Sequence, residues 1–169
     1  MIEILPENPA QHACAIEDLF DATFGPGHFA KTAERVREFS VSLPHLNHVA
    51  LMGDEVVGVC RIWPLQVGKE AVPAIFAGPV AVHPKARGQF LGQRITQASM
   101  DAAKAAEWPL ALLIGDVDYF SGVGFIPAAA GRFIFPGPQD SARIMYHAFS
   151  ERGETASGFV QARQAPTPS

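Results

Sequence analysis

The chain has 169 residues, of which 48% are hydrophobic and 18% are charged, and its formal net charge is −4. This length fits one domain, and the apolar fraction excludes a chain that is disordered throughout. The negative net charge argues against a general nucleic-acid-binding protein, which needs a basic face to neutralise phosphates.

The N-terminal segment predicts a strand followed by two helices. Residues 2–5 have strand character, and Asn8 followed by Pro9 is typical of a helix start. Apolar residues at spacings of three and four predict a first helix up to Phe24 and a second helix over residues 30–39.

Three β-strands are predicted next. The apolar segments 48–52 and 55–63 flank a Gly-Asp turn and predict a β-hairpin whose second strand ends at Pro64. Residues 72–82 form a third apolar run, which Gly78-Pro79 interrupts. Because proline cannot donate to a β-ladder, this dipeptide predicts a bulge or a splay inside the strand.

A longer helix is predicted between Gly88 and Pro109, with one stripe of apolar and small residues facing the core. The stripe consists of Leu91, Ile95, Ala98, Ala102 and Ala105. Residues 110–114 predict a buried strand, and a loop with one helical turn follows.

The C-terminal part predicts a closing hairpin with strands near residues 132–135 and 142–149, joined by a Pro-Gly-Pro turn. We expect a single domain over residues 1–150 and a loose polar tail over residues 151–169. The predicted fold class is mixed α/β. One central sheet combines a βαβ unit with flanking antiparallel hairpins.

The start of the longer helix has features of an anion site. A buried strand ends at Pro84, and a short loop with glycines leads into the helix. Such a turn presents unpaired N–H groups at the positive end of the helix dipole, which suits a phosphate or pyrophosphate. Gly88 and Gly92 allow a close approach, and Arg87 adds a positive charge. The alternative is that the glycines only turn the chain. Rossmann and P-loop motifs are absent.

Two motifs together resemble those of the GNAT superfamily of acyl-CoA-dependent N-acetyltransferases. The family motif Arg/Gln-x-x-Gly-x-Gly/Ala corresponds to Arg87-Gly88-Gln89-Phe90-Leu91-Gly92. The family motif Phe-Tyr-x-x-x-Gly-Phe corresponds to Tyr119-Phe120-Ser121-Gly122-Val123-Gly124-Phe125. The resemblance is strong from residue 48 to residue 127, and the order of elements extends it over residues 1–149.

The resemblance implies a GNAT-like fold in which the fourth and fifth strands splay apart and acetyl-CoA, or another acyl-CoA, is the co-substrate. It implies that backbone groups of Val80, Ala81 and Val82 bind the pantetheine amides. The residues that would hold the pyrophosphate are Arg87, Gly88, Gln89, Phe90, Leu91 and Gly92. An amine would attack the thioester carbonyl directly, with help from a base and an acid. We expect no metal ion.

Two residues depart from the family pattern. Phe90 occupies the position of the central glycine, where its ring either crowds the phosphates or points outward. A register beginning at Gln89 would restore the glycine but would lose the spacing from Pro84, so we prefer the first register. Phe120 occupies the position of the usual tyrosine acid and cannot donate a proton.

Neighbouring side chains supply the remaining candidates. Tyr119 is the candidate acid, with a rim or core aromatic as the alternative. Asp116, just after the fifth strand, is a candidate catalytic group, with a turn-forming carboxylate as the alternative. His83 and Cys60 are expected to be structural. Trp63 either lines the acceptor side or packs in the core.

The sequence therefore predicts an N-acetyltransferase that moves an acetyl or other acyl group from acyl-CoA to a primary amine. One alternative is a degenerate member that binds acyl-CoA as a sensor. Another is a phosphate-binding α/β domain of a different family, which would leave Gly78-Pro79 unexplained. Without a visible signal peptide or membrane span, we expect a cytoplasmic monomer or homodimer with no nucleic-acid or membrane partner.

Overall fold

The computed structural model describes residues 1–24, 41–136 and 140–163. The predicted helix over residues 30–39 lies outside the described residues. The strands in chain order are β1 (Ile2–Pro6), β2 (His48–Met52), β3 (Glu55–Val67), β4 (Val72–Val82), β5 (Leu110–Ile114), β6 (Ile126–Pro127), β7 (Phe133–Ile134), β8 (Ile144–Ala148) and β9 (Gly158–Ala162). The α-helices are α1 (Pro9–Phe24), α2 (Leu91–Ala105), α3 (Val117–Phe120) and α4 (Glu151–Thr155).

One mixed sheet organises the part of the chain that the structure describes. Its main strand order is β1-β2-β3-β4-β5-β8-β6, and β9 extends it by pairing with β3 and β7. Strands β4 and β5 run parallel and are joined through α2, whereas the other neighbours in the main order are antiparallel. The mixed α/β fold class with one central sheet is confirmed.

Helices cover both faces of this sheet. Helix α2 packs on one face against β2, β3 and β4, and its fully buried Ile95 belongs to the core cluster on that side. Helix α1 packs on the opposite face, where Ile16 and Phe20 meet Val59 of β3. The rest of that face is covered by the C-terminal segment, in a second cluster that includes Phe76 of β4.

The buried side of α2 differs from the predicted stripe. Leu91 and Ile95 are buried as predicted, but Ala105 is exposed, and Thr96 and Ser99 are fully buried instead. Their hydroxyls are satisfied, because Thr96 donates to a carbonyl of its own helix and Ser99 donates to the carbonyl of a loop residue. Small hydroxyl side chains can be buried when a carbonyl accepts their hydrogen bond. A prediction that considered only apolar and small side chains therefore missed Thr96 and Ser99 on the buried face of α2.

The predicted closing hairpin has the wrong partner. Strand β8 pairs with Ile126–Pro127, whereas Phe133–Ile134 pairs in parallel with β9. Arg132 anchors this segment to α4, since its guanidinium donates to carbonyls at the end of α4. The guanidinium also lies 4.2 Å from the ring centroid of Tyr146, so the segment contacts β8 through a side chain without pairing with it.

The prediction of a loose tail from residue 151 is wrong for the residues described up to 163. Residues Glu151–Thr155 form α4, and β9 pairs with Leu65–Val67 of β3. Strand β3 therefore does not end at Pro64. The missing N–H of Pro64 points away from β4, at the edge of β3 between the start of β2 and the end of β9, so the ladder between β3 and β4 loses no hydrogen bond. The carbonyl of Pro64 accepts from the N–H of Arg163.

Candidate functional site

A cleft opens where β4 and β5 stop pairing. The two strands pair only at Ile75 with Ala111 and at Phe76 with Leu112, although both continue beyond these residues. On its other side β4 stays paired with β3, but the register shifts across Gly78-Pro79. The bulge and the splay expected from this dipeptide are both present.

The indole of Trp63 stabilises the bulge. Its Nε1 donates to the carbonyl oxygen of Gly78 at 2.7 Å. Gly78 has a φ of 140°, which favours glycine over residues with a side chain. A bulge removes backbone groups from the ladder, so this hydrogen bond gives the displaced carbonyl a partner. Trp63 thus has a defined contact at the cleft, which the sequence pattern did not reveal.

Beyond the bulge, β4 presents backbone groups to the cleft. The N–H of His83 donates to the carbonyl of Val57 on β3 at 2.8 Å, which fixes the alternation along the strand. By this alternation Ala81 faces β3, while the N–H and C=O groups of Val80 and Val82 face away from it. The carbonyl of Val82 accepts from Nε of Arg87 at 3.2 Å, which agrees with that direction.

The loop after β4 leads directly to the N-terminus of α2. His83 caps a short 3₁₀ turn by accepting the N–H of Lys85. Gly88 has a φ of 92°, and Phe90, the N-cap residue of α2, has φ 54° and ψ 29°. The Phe90 side chain makes no capping hydrogen bond, and the first turn of α2 contains no acidic residue. The N-terminal amides of this helix are therefore suited to an anion.

The charge at the loop is positive. Lys85 is paired with Glu55, and the hydrogen bond from Lys85 lowers the pKa of that carboxyl. Arg87 is exposed and, among the residues that the structure describes, forms no ion pair. Its charge is therefore available to a ligand at the helix N-terminus.

Tyr119 contacts this helix start rather than pointing away from it. A Cβ atom placed on Gly92 would overlap the Tyr119 hydroxyl, and Nε2 of Gln93 donates to the Tyr119 carbonyl at 2.6 Å. Burial raises the pKa of Tyr119, and hydrogen bonds from the N–H groups of Gln93 and Gly92 offset part of that rise. The hydroxyl is thus protonated near neutral pH and lies at the end of α2 where an anion would bind.

Asp116 and Phe120 hold the turn that carries Tyr119. The Asp116 carboxylate caps α3 by accepting the N–H of Tyr119 at 3.1 Å, and the side chain is exposed. The ring of Phe120 is buried against Gly115 and meets the Tyr119 ring edge-on at 4.9 Å. The position expected for a tyrosine acid therefore holds a packed apolar ring.

The structure brings together the predicted cofactor-binding residues, with Arg87 joining the cleft strand to the helix start. Cys60 is fully buried, and burial raises the pKa of its thiol to about 12, which excludes a thiolate nucleophile near neutral pH. In the described ranges, no helix is long and apolar enough to cross a membrane. The same residues contain no group of three or more His, Cys, Asp or Glu side chains placed to hold a metal ion.

Comparison with known proteins identifies the family. The model of the acetyltransferase (GNAT) family matches residues 13–112, which include β2, β3, β4 with its bulge, all of α2 and the first part of β5. The chain belongs to the GNAT acetyltransferase family. No curated protein shows significant similarity to the chain.

Solved GNAT structures share the fold of this protein. The GNAT family N-acetyltransferase YhbS from Escherichia coli in complex with CoA is 24% identical, with a TM-score of 0.80 over 96% of this chain and 89% of that chain. A GNAT family acetyltransferase from Brucella melitensis in complex with acetyl-CoA is 23% identical, with a TM-score of 0.62 over 88% of this chain and 97% of that chain. The ribosomal-protein-S18-alanine N-acetyltransferase from Escherichia coli is 17% identical, with a TM-score of 0.59 over 92% and 98%.

Proposed function

We propose that this GNAT protein transfers an acetyl or other acyl group from acyl-CoA to a primary amine. The observation that carries the proposal is the continuous open backbone from the splayed end of β4 to the N-terminus of α2. Val80 and Val82 offer amide donors and acceptors along the cleft, and the loop from Arg87 to Gly92 leads to a helix start whose N-cap side chain makes no hydrogen bond. A ligand with amides at one end and phosphates at the other matches this order.

The proposed co-substrate follows from that match. The pantetheine amides pair with the cleft-facing groups of Val80 and Val82, and the pyrophosphate binds the amides of the helix start beside Arg87. CoA in the Escherichia coli YhbS structure and acetyl-CoA in the Brucella melitensis structure support this ligand class. Arg87 donates to the Val82 carbonyl, so binding of CoA would exchange that contact for one with phosphate.

The proposed reaction is direct transfer. The amine nitrogen, in its neutral form, attacks the thioester carbonyl carbon, the C–S bond breaks, and the sulfur leaves as a thiolate. The new amide nitrogen gives up one proton, which a base or solvent accepts. A thiol has an ordinary pKa of about 8.5, so the thiolate is a tolerable leaving group near neutral pH.

General acid and base roles remain predictions. Phe120 cannot protonate the thiolate, and the Tyr119 hydroxyl lies on the first turn of α2, where it is better placed to position the helix start than to reach a thioester. Asp116 is an exposed cap and remains a candidate base. We expect Tyr119→Phe to lower the rate at least tenfold only if the hydroxyl is the acid. Full activity in this variant would mean that the thiolate leaves without help from a general acid.

A second candidate function is an acyl-CoA sensor without efficient turnover. The buried Phe120 ring, at the position of the family's usual tyrosine, is the observation that favours it. A sensor would bind acetyl-CoA with the affinity of an enzyme but release no thiol with any amine. Phe120→Tyr separates the two cases, since it should raise turnover only where the remaining machinery is competent.

The test combines binding with turnover. Acetyl-CoA should raise the melting temperature, and Arg87→Glu should reduce that rise by placing an anion beside the phosphates. Arg152→Glu is the matched control, because Arg152 is exposed on α4. Thiol release should then be followed with amines, polyamines and peptides. Equal stabilisation of the Arg87 and Arg152 variants would remove Arg87 from the site, and no stabilisation of the native chain would refute the function.

A further inference from the structure

Phe90 combines two unfavourable features. Its backbone lies in the left-handed region, with φ 54° and ψ 29°, which residues with a side chain adopt only at a cost. Its side chain is 69% exposed, so the ring gains little from burial in the folded chain. A glycine would avoid both costs. Strain at an exposed aromatic residue beside a ligand site suggests that the ring serves the ligand.

The exposure of the ring defines the surface to which it belongs. Leu91 and Gly92, the next residues of the chain, are buried, whereas Phe90 belongs to an exposed surface that continues through Gln89, Gly88 and Arg87. The ring is therefore on the outer side of the loop and is not packed in the core.

The direction of the proposed ligand brings its nucleotide end onto this surface. The pantetheine arm enters the cleft along Val80 and Val82, and the pyrophosphate lies at the start of α2. The other end of CoA, a ribose with an adenine base, must leave the pyrophosphate away from the cleft. It then passes over the exposed side of the loop, where the Phe90 ring is the aromatic surface at hand.

Building on the proposed function, we infer that the exposed ring of Phe90 is a stacking platform for the adenine base of CoA. A flat apolar ring on a fixed backbone loses little conformational freedom when a base stacks on it. Such contacts do not depend on hydrogen bonding to the base. The left-handed backbone at the N-cap holds Cβ outward, so the strain of Phe90 is the means by which the ring is presented.

Two substitutions and the two halves of CoA test this inference. Phe90→Leu keeps a side chain on the same strained backbone but removes the aromatic surface, and Phe90→Tyr restores it. By isothermal calorimetry, Phe90→Leu should weaken CoA by about fivefold or more, the lower end for loss of a base–aromatic stack. It should weaken 3′-phosphoadenosine 5′-diphosphate by the same factor. Phe90→Tyr should bind both ligands as the native chain does.

The pantetheine half supplies the control. The affinity for 4′-phosphopantetheine, which lacks adenine, should change less than twofold in Phe90→Leu. An unchanged affinity for CoA and for the nucleotide half in Phe90→Leu would overturn the inference and leave the proposed function standing. Equal losses for CoA and 4′-phosphopantetheine would also overturn it, because the ring would then contact the other half. Failure of the native chain to bind CoA would refute the proposed function itself.

Discussion

The contact between Gly92 and Tyr119 leads to a prediction about Gly92→Ala: its effect on stability should change sign when the Tyr119 hydroxyl is removed. Gly92 has an ordinary helical backbone, so alanine there should stabilise α2 by about 1 kcal/mol through helix propensity. Its Cβ, however, would overlap the Tyr119 hydroxyl. Displacing a packed side chain usually costs about 1–3 kcal/mol. We therefore expect Gly92→Ala to lower the free energy of unfolding by about 1 kcal/mol in the native chain.

Removing the hydroxyl should reverse this effect. In Tyr119→Phe the nearest ring atom to the new Cβ would be Cζ at 3.3 Å, which a small shift of the ring relieves. Gly92→Ala should then raise the free energy of unfolding by up to about 1 kcal/mol, the helix-propensity gain alone. The coupling between the two substitutions is expected to be about 1–3 kcal/mol.

Urea unfolding, followed by far-UV circular dichroism, measures this coupling in four proteins: the native chain, the two single variants and the double variant. Gly58→Ala is the matched control, because its Cβ would meet Ile95 rather than Tyr119 and its cost should be the same with and without the hydroxyl. If Gly92→Ala has the same effect in both backgrounds, or stabilises the native chain, the Tyr119 hydroxyl does not occupy the space beside Gly92.

Three further predictions concern the bulge, the loop strain and pH. Trp63→Phe removes the indole donor to the Gly78 carbonyl together with part of the ring, and it should lower the free energy of unfolding by about 1–3 kcal/mol and weaken acetyl-CoA binding. Unchanged urea midpoints would contradict this prediction. Phe90→Gly and Glu107→Gly each relieve a positive φ and should each stabilise the chain by about 1 kcal/mol, but only the first should alter CoA affinity. Burial lowers the pKa of His147 below its ordinary value of 6.5, so the unfolded chain binds the proton first as pH falls. Stability should be lost from about pH 7 downward, and His147→Gln should show a smaller fall in melting temperature between pH 7.5 and 5.5.

The sequence by itself determined the features that depend on neighbouring residues. Gly78-Pro79 predicted the interruption in β4, because a proline without an N–H and a freely rotating glycine act at their own positions. Glycines and Arg87 before an amphipathic segment predicted the helix start, and two short motifs indicated the family. These signals are local and do not depend on what packs against them.

The tertiary structure alone decided the partners. Three contacts join segments that are distant in sequence: Tyr119 lies against Gly92, Trp63 donates to the Gly78 carbonyl, and β9 pairs with β3. Local propensity cannot specify them. The sequence pattern predicted that β3 ends at Pro64. The strand continues because the missing N–H lies at the edge of β3 between β2 and β9, and that edge exists only in the assembled sheet. Which side chains are buried, and which polar groups find hydrogen-bond partners, is decided only when the sheet assembles. These contacts set the geometry of the site.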